Sequence, residues 1–256
     1  MDLCLQGKKV LIFGGSKGIG LASAKMFLEE GAYVCLVARD EAKLKTVTQQ
    51  LAKDFGHERI LWYTADCTIE DKVKASFEYV LSNWKTIHTV VSCIGDGHSS
   101  SDAISEEAQW QSIWKVNFDS IRFICRAALK WICPDKGSIV FVSSIAGLES
   151  IGAPTDYSTA KSAISTFVKN VARKTQPGLR INVIAPGNVL VKGGRWEQRL
   201  KESENEVTSL INRTVPMKRF GRPEEIANFI LFAASECSSF MTGSTIVVDG
   251  GQTTGI

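Results

Sequence analysis

Short β-branched runs alternate along the chain with longer segments of helical period. The runs at 8–13, 33–38, 58–64, 87–93, 138–143, 180–185 and 245–248 read as strands, each followed by a helix-like stretch. Several are apolar throughout, as in Ile139 to Val142, and a strand without polar alternation is one buried on both faces. The βαβα order with such strands predicts an α/β fold: a seven-stranded parallel sheet with helices on both sides. No repeat, low-complexity tract or Pro/Gly/Ser linker divides the chain, so one domain over residues 1–256 is expected. The rhythm breaks at Asn188 to Pro216, longer than an ordinary connection and kinked at Lys192-Gly193-Gly194-Arg195.

Composition changes this picture little but excludes several classes. With 256 residues, 44% apolar and 22% charged, the chain can bury one sizeable core. No apolar run approaches the ~18 residues of a membrane span. Met1 to Lys9 lacks the apolar region of a secretory signal, so a cytoplasmic location is expected. The formal net charge of +3 comes from interspersed signs, which argues against a nucleic-acid partner. Seven cysteines without a C-x-x-C pair read as reduced core residues, Cys35 and Cys93 in particular. His57, His88 and His98 share no ligand spacing and read as solvated loop residues, so no metal is expected.

The first strand runs into Phe13-Gly14-Gly15-Ser16-Lys17-Gly18-Ile19-Gly20 and then a helical segment, Leu21 to Glu30. Glycines at 14, 18 and 20 permit a tight turn, let the backbone approach a pyrophosphate, and leave a helix N-terminus facing the anion. Gly14, Ser16, Lys17, Gly18, Ile19 and Gly20 are therefore candidate dinucleotide contacts. The second strand ends Leu36-Val37-Ala38-Arg39, with alanine where an acid would grip a free ribose. Arg39 and Lys17 suit a 2′-phosphate, so NADP(H) is the expected cofactor, the alternative being two surface charges. Asp66 after the third strand is either an adenine contact or a loop cap.

Tyr157 and Lys161, four residues apart on a helical segment, share one face. Thirteen residues before the tyrosine, Ser143-Ser144 closes a buried strand at the edge where open α/β sheets bind ligands. The two hydroxyls cannot face the same side, which leaves Ser143 and Ser144 as rivals. Asn117 begins another helical stretch, as a functional residue or a helix cap.

The glycine turn, Asn117, Ser144, Tyr157, Lys161 and Pro186-Gly187, in that order, resemble the short-chain dehydrogenase/reductase family over essentially the whole chain. The closing segment, Arg219-Phe220-Gly221-Arg222-Pro223 through Val248-Asp249-Gly250-Gly251, is similar to the branch containing 3-oxoacyl-acyl-carrier-protein reductases and carbonyl reductases. The resemblance implies a Rossmann-type doubly wound domain and an oxidoreductase interconverting a ketone and a secondary alcohol. Tyr157 would be the acid/base, Ser144 would orient the substrate oxygen, Lys161 would hold the ribose, and Asn117 would position a relay water. A phenol of ordinary pKa about 10 needs help to act near neutrality, and the Lys161 ammonium is expected to lower it. Pro186, Gly187 and Val189 would lie by the nicotinamide. A nucleotide-sugar or polyol dehydrogenase and a non-catalytic dinucleotide sensor are the alternatives.

Three departures stand out. Phe13 replaces a threonine of the family's glycine motif, Ser92-Cys93-Ile94-Gly95 replaces Asn-Asn-Ala-Gly, and Asn188-Val189-Leu190-Val191 lacks the threonine usual near the nicotinamide amide. Residues 188–216 correspond to the family's substrate-covering segment. Within 192–202, Lys192, Arg195, Arg199 and Lys201 outnumber Glu197 and Glu202 by two charges, and Trp196 lies among them. That predicts either an anionic substrate, such as a phosphopantetheine thioester or acidic sugar, or a solvated helix face. Relatives imply a homotetramer or homodimer built on helices near 118–133 and 155–175; Phe118, Ile121, Ile124 and Trp131 fit such a face or an ordinary core.

Overall fold

Along the first strand Leu11 and Phe13 enter one hydrophobic cluster and Val10 and Ile12 another, and all four are fully buried. Both faces of the strand are covered, which explains a run with no polar position. The computed structural model describes residues 2–255. Its elements, in order, are β1 (Lys9–Phe13), α1 (Gly18–Glu29), β2 (Tyr33–Ala38), α2 (Glu41–Phe55), β3 (Ile60–Thr64), α3 (Glu70–Trp84) and β4 (Thr89–Ser92). There follow α4 (Glu107–Trp114), a wide π turn (Lys115–Asp119), α5 (Ser120–Trp131), β5 (Ser138–Val142), α6 (Thr155–Ala172), β6 (Arg180–Pro186), α7 (Arg195–Glu202), α8 (Glu204–Thr214), α9 (Pro223–Ala234) and β7 (Thr245–Val248).

The strands form one parallel sheet in the order β3-β2-β1-β4-β5-β6-β7, the seven-stranded doubly wound arrangement expected. Phe77 of α3, Ile121 and Ile124 of α5 and Ile164 of α6 cover one face. Phe27 of α1, Leu51 of α2 and Ile230 of α9 cover the other. Chain order reverses between β1 and β4, so the loops after those two strands diverge and open a crevice at their carboxyl ends.

Several local expectations are corrected. The first helix begins at Gly18, three residues early, because glycine at 18 and 20 lets the turn pass straight into helix. Asn117 does not begin a helix: it lies inside the π turn that joins α4 to α5 in one continuous rod. Residues 188–216 are not an extended loop but carry α7 and α8. No helix follows β7 among the described residues; the chain turns at Asp249-Gly250-Gly251 instead. His88 is not solvated, since its half-buried ring accepts the Lys9 N–H at Nδ1 over 3.0 Å, and burial holds its pKa below the ordinary value. Cys35, Cys67 and Cys125 are core residues as expected, whereas Cys4 and Cys237 are exposed. Ile121 and Ile124 are fully buried and Phe118 and Trp131 pack against the same cluster, so this face serves the chain's own core.

Candidate active site

The crevice is a cleft of about 990 Å³ lined from β1, β2, β4, β5, α6 and α7–α8. Gly14, at φ 77°, turns the chain sharply out of β1, with its N–H donating to the Val37 carbonyl at 2.8 Å. A β-carbon at Gly20 would stand 2.3 Å from the Gly14 carbonyl oxygen, so only glycine permits this packing of helix on turn. The first turn of α1 has no side-chain cap and no acidic residue, which leaves its N–H groups directed at the cleft. Gly14, Ser16, Lys17, Gly18, Ile19 and Gly20 all line it. A pyrophosphate fits this cradle: glycine keeps it open, and the helix supplies donors and positive potential.

Farther along the same wall stand Arg39, Lys43 and Asp66. Lys43 escaped the sequence reading because it lies one helical turn beyond the strand end, within α2. Lys17, paired with Arg39 in that reading, reaches the other way: its Nζ donates to the Gly193 carbonyl at 3.3 Å. Arg39 and Lys43 thus form the cationic pole at this end. Asp66 accepts from the backbone N–H and hydroxyl of Thr68 at 2.9 and 2.8 Å. Burial raises its pKa, but these bonds outweigh it and the carboxyl stays below its ordinary value. Asp66 therefore caps its loop while still facing the cleft.

At the opposite end Tyr157 and Ser144 both face the cleft. Their rival Ser143 is buried and donates to the Lys161 carbonyl at 2.9 Å, which resolves the geometry in favour of Ser144. Ser144 Oγ accepts the Ala146 N–H at 3.1 Å, a short cap that fixes the hydroxyl just beyond β5. Lys161 is 2% exposed and lies behind the cleft wall. Its Nζ donates to the carbonyls of Ile94 and Val142 at 3.4 and 3.3 Å. Burial lowers its pKa to about 8. Tyr157 departs from expectation: burial raises the phenol's pKa, and the groups that pull it down are the Ser144 hydroxyl and the Arg195 guanidinium.

Asn117, fully buried, does not line the cleft either. Its Oδ1 accepts the Asp96 N–H at 3.1 Å and its Nδ2 donates to the carbonyls of Asp96 and Ile113 at 2.9 and 3.0 Å. The amide thus grips the segment Gly95–Gly97, with both of its polar groups engaged. A β-carbon on Gly95 would stand 2.9 Å from Lys161 Nζ and 3.2 Å from Asn117 Oδ1, so this glycine lets both side chains close in. Asp156, unnoticed in the sequence, is 1% exposed and joins the loop between β4 and α4 to the start of α6. Its Oδ1 accepts the Tyr157 N–H at 2.7 Å, and its Oδ2 accepts from Ser105 Oγ at 2.8 Å and from Ser99 Oγ.

Gly187 and Val189 line the cleft, while Pro186 does not; it ends β6 as a buried residue. Beyond them the segment 188–216 lies across the opening. Besides the Lys17–Gly193 bond, Arg195 Nη1 donates to the Gly97 carbonyl, and a β-carbon on Gly18 would meet Val191 Cγ1 at 2.7 Å. Trp196 packs on Phe220 with ring centres 5.4 Å apart.

A family model described as enoyl-(acyl carrier protein) reductase matches residues 14–253. The chain is 32% identical to the 3-oxoacyl-acyl-carrier-protein reductase of Chlamydia pneumoniae, over 99% of this chain and 100% of that one. Among solved structures it resembles the L-sorbose reductase of Gluconobacter frateurii complexed with NADPH and L-sorbose, with a TM-score of 0.91, 29% identity and full coverage of both chains. It also resembles an NADPH-bound short-chain oxidoreductase of Pseudomonas aeruginosa PAO1 described as having an atypical catalytic center: TM-score 0.90, 30% identity, 97% of this chain and 98% of that one. Sheet order, glycine turn and these likenesses agree: the chain belongs to the short-chain dehydrogenase/reductase family of oxidoreductases.

Proposed function

We propose that this chain is an NADP(H)-dependent oxidoreductase that interconverts a ketone and a secondary alcohol, with Tyr157 as its acid/base. The observation that carries the reading is the meeting of the Tyr157 phenol and the Ser144 hydroxyl in one cleft with an uncapped helix N-terminus and a glycine cradle. The bound dinucleotide supplies hydride to the carbonyl carbon in reduction and takes it back in oxidation. Arg39 and Lys43 hold the 2′-phosphate, the turn Gly14–Gly20 holds the pyrophosphate, and Gly187 with the Val189 backbone borders the nicotinamide. Ser144 donates to the substrate oxygen and fixes it beside the phenol. Tyr157 gives its proton to that oxygen in reduction and accepts it in oxidation.

Lys161 acts from behind the wall: its ammonium favours the phenolate left after transfer, and it is the residue that would hold the ribose, beside Gly95, where a side chain would crowd its ammonium. Asn117 supports the site by holding Gly95–Gly97 and is the residue proposed to position a relay water. The segment 188–216 covers the substrate and excludes solvent from the transfer. A cytoplasmic homotetramer or homodimer is the assembly that the family resemblance implies. A sugar or polyol is a second substrate class, favoured by the likeness to an L-sorbose reductase.

The test is consumption of NADPH and NADH with acetoacetyl thioesters, diketones and keto sugars, using Tyr157→Phe as the blank. NADPH-dependent turnover absent from the blank supports the reading. Cofactor binding without turnover of any class would favour a dinucleotide sensor.

A further inference from the structure

The cleft has a second cationic pole that the cofactor does not account for. Arg195 and Arg199, one turn apart on α7, and Arg213 on α8 all line it at the end opposite Arg39 and Lys43. The other charged residues of α7 have partners of their own: Lys201 bonds Glu197 at 3.3 Å, Glu197 also accepts the Gly193 N–H, and Glu202 accepts from the Gln198 amide. These partners take the acidic residues of the helix away from the two arginines. The arginine ion pairs among the described residues involve Arg122, Arg126, Arg219 and Arg222, not these three. The carboxylates that line the cleft are engaged elsewhere: Asp40 accepts the Lys43 N–H, Asp66 holds Thr68, and Asp96 holds His98 at 2.6 Å.

The arginines are also placed for recognition. Arg199 lies against the Trp196 ring, 4.9 Å from its centre, which fixes the guanidinium plane. Arg195 stands beside the reacting end: the point a β-carbon on Gly97 would occupy is 3.4 Å from Arg195 Nη1 and 3.8 Å from Tyr157 Cε2. Three guanidinium groups without carboxylate partners, on one wall of a cleft beside the acid/base, are matched by an anion.

We infer that Arg195, Arg199 and Arg213 form a subsite for an anionic group, carboxylate, sulfonate or phosphate, carried by the ketone substrate or its alcohol. This rests on the reductase reading above and adds the substrate class to it. A short keto acid and a thioester whose carrier arm ends in phosphate both present such a group.

With saturating NADPH, kcat/KM is compared within two pairs: acetoacetate against ethyl acetoacetate, and acetoacetyl-pantetheine 4′-phosphate against acetoacetyl-pantetheine. The anionic member is expected to win by about tenfold or more in one pair, and that pair identifies the source of the charge. Arg199→Gln combined with Arg213→Gln should collapse the ratio toward one. Equal rates within both pairs, or a ratio unmoved by the double variant, would overturn the subsite and leave the reductase reading intact. If no ketone is turned over, calorimetric binding of 3-hydroxybutyrate and pantetheine 4′-phosphate to the NADP⁺-loaded chain decides. Binding abolished by the double variant upholds the subsite while the reductase reading fails; no binding of either anion overturns the subsite too.

Discussion

Lys161 Nζ stands 5.8 Å from the centre of the Tyr157 ring, and of the two side chains the tyrosine lines the cleft. In the proposed mechanism the two groups divide the work: the phenol meets the substrate, and the ammonium favours the phenolate left after proton transfer. Tyr157→Phe removes the transferable proton while keeping the ring. The expected result is a kcat lower by about 10²–10⁴, with the NADPH dissociation constant changed little, read by steady-state kinetics and fluorescence titration.

Protonation of Lys161 sets an alkaline limit. Its pKa of about 8 lies below the ordinary 10.5 because burial disfavours the charge. Reduction should therefore decline as pH rises through about 8 and the ammonium is lost. Stability runs with the opposite sign: between about 8 and 10.5 the unfolded chain holds more protons at this lysine, so its contribution to stability grows with pH. Lys161→Met should remove the step near 8 from the pH–rate profile; a step that persists there would assign it to another group.

Cofactor choice should follow the pole at Arg39 and Lys43. Arg39→Asp is expected to weaken NADPH by about tenfold or more while NADH, which has no 2′-phosphate, is affected far less. Dissociation constants for both cofactors measured on both proteins check this, and an equal loss for the two would remove the assignment.

Asp156 ties the segment bearing Ser99 and Ser105 to the first turn of α6, one residue before the acid/base. Asp156→Ala leaves buried donors unpaired and should lower stability by about 2–3 kcal/mol, seen in denaturant unfolding. It should also raise KM for the ketone, because Gly97, on which Arg195 docks, loses its anchor through the same segment. Asp156→Asn, which keeps an acceptor oxygen, should recover part of both.

The sheet was legible because both of its faces are buried: continuous apolar runs such as Ile139 to Val142 have no other explanation in a βαβ rhythm. The ends of those runs were less so. The strand expected from residue 58 starts at Ile60, since a tight turn at His57–Arg59 precedes it. The glycine turn was readable from its strand–turn–helix setting, whereas Tyr157 and Ser144 were singled out by the family resemblance. Arg213, Lys43 and Asp156 were not, because their roles depend on contacts between distant segments: Asp156 meets Ser105 51 residues away. The setting of Asn117 was hidden for a related reason, as an asparagine in a helical stretch gives no hint that the helix widens around it.

That widening fixes one part of the molecule against another. Trp110, Trp114 and Phe118 form a row along the rod, with ring centres 6.3 and 5.6 Å apart, while Asn117 points inward to Gly95–Gly97. Each residue added to or removed from a helix rotates everything beyond it by about 100°. Shortening the π turn by one residue would swing the tryptophan row of α4 around the axis relative to α5 and pull Asn117 off its carbonyl partners. The aromatic row and the buried amide are therefore held in a single rotational phase, so this stretch can tolerate changes of side chain far more readily than changes of length.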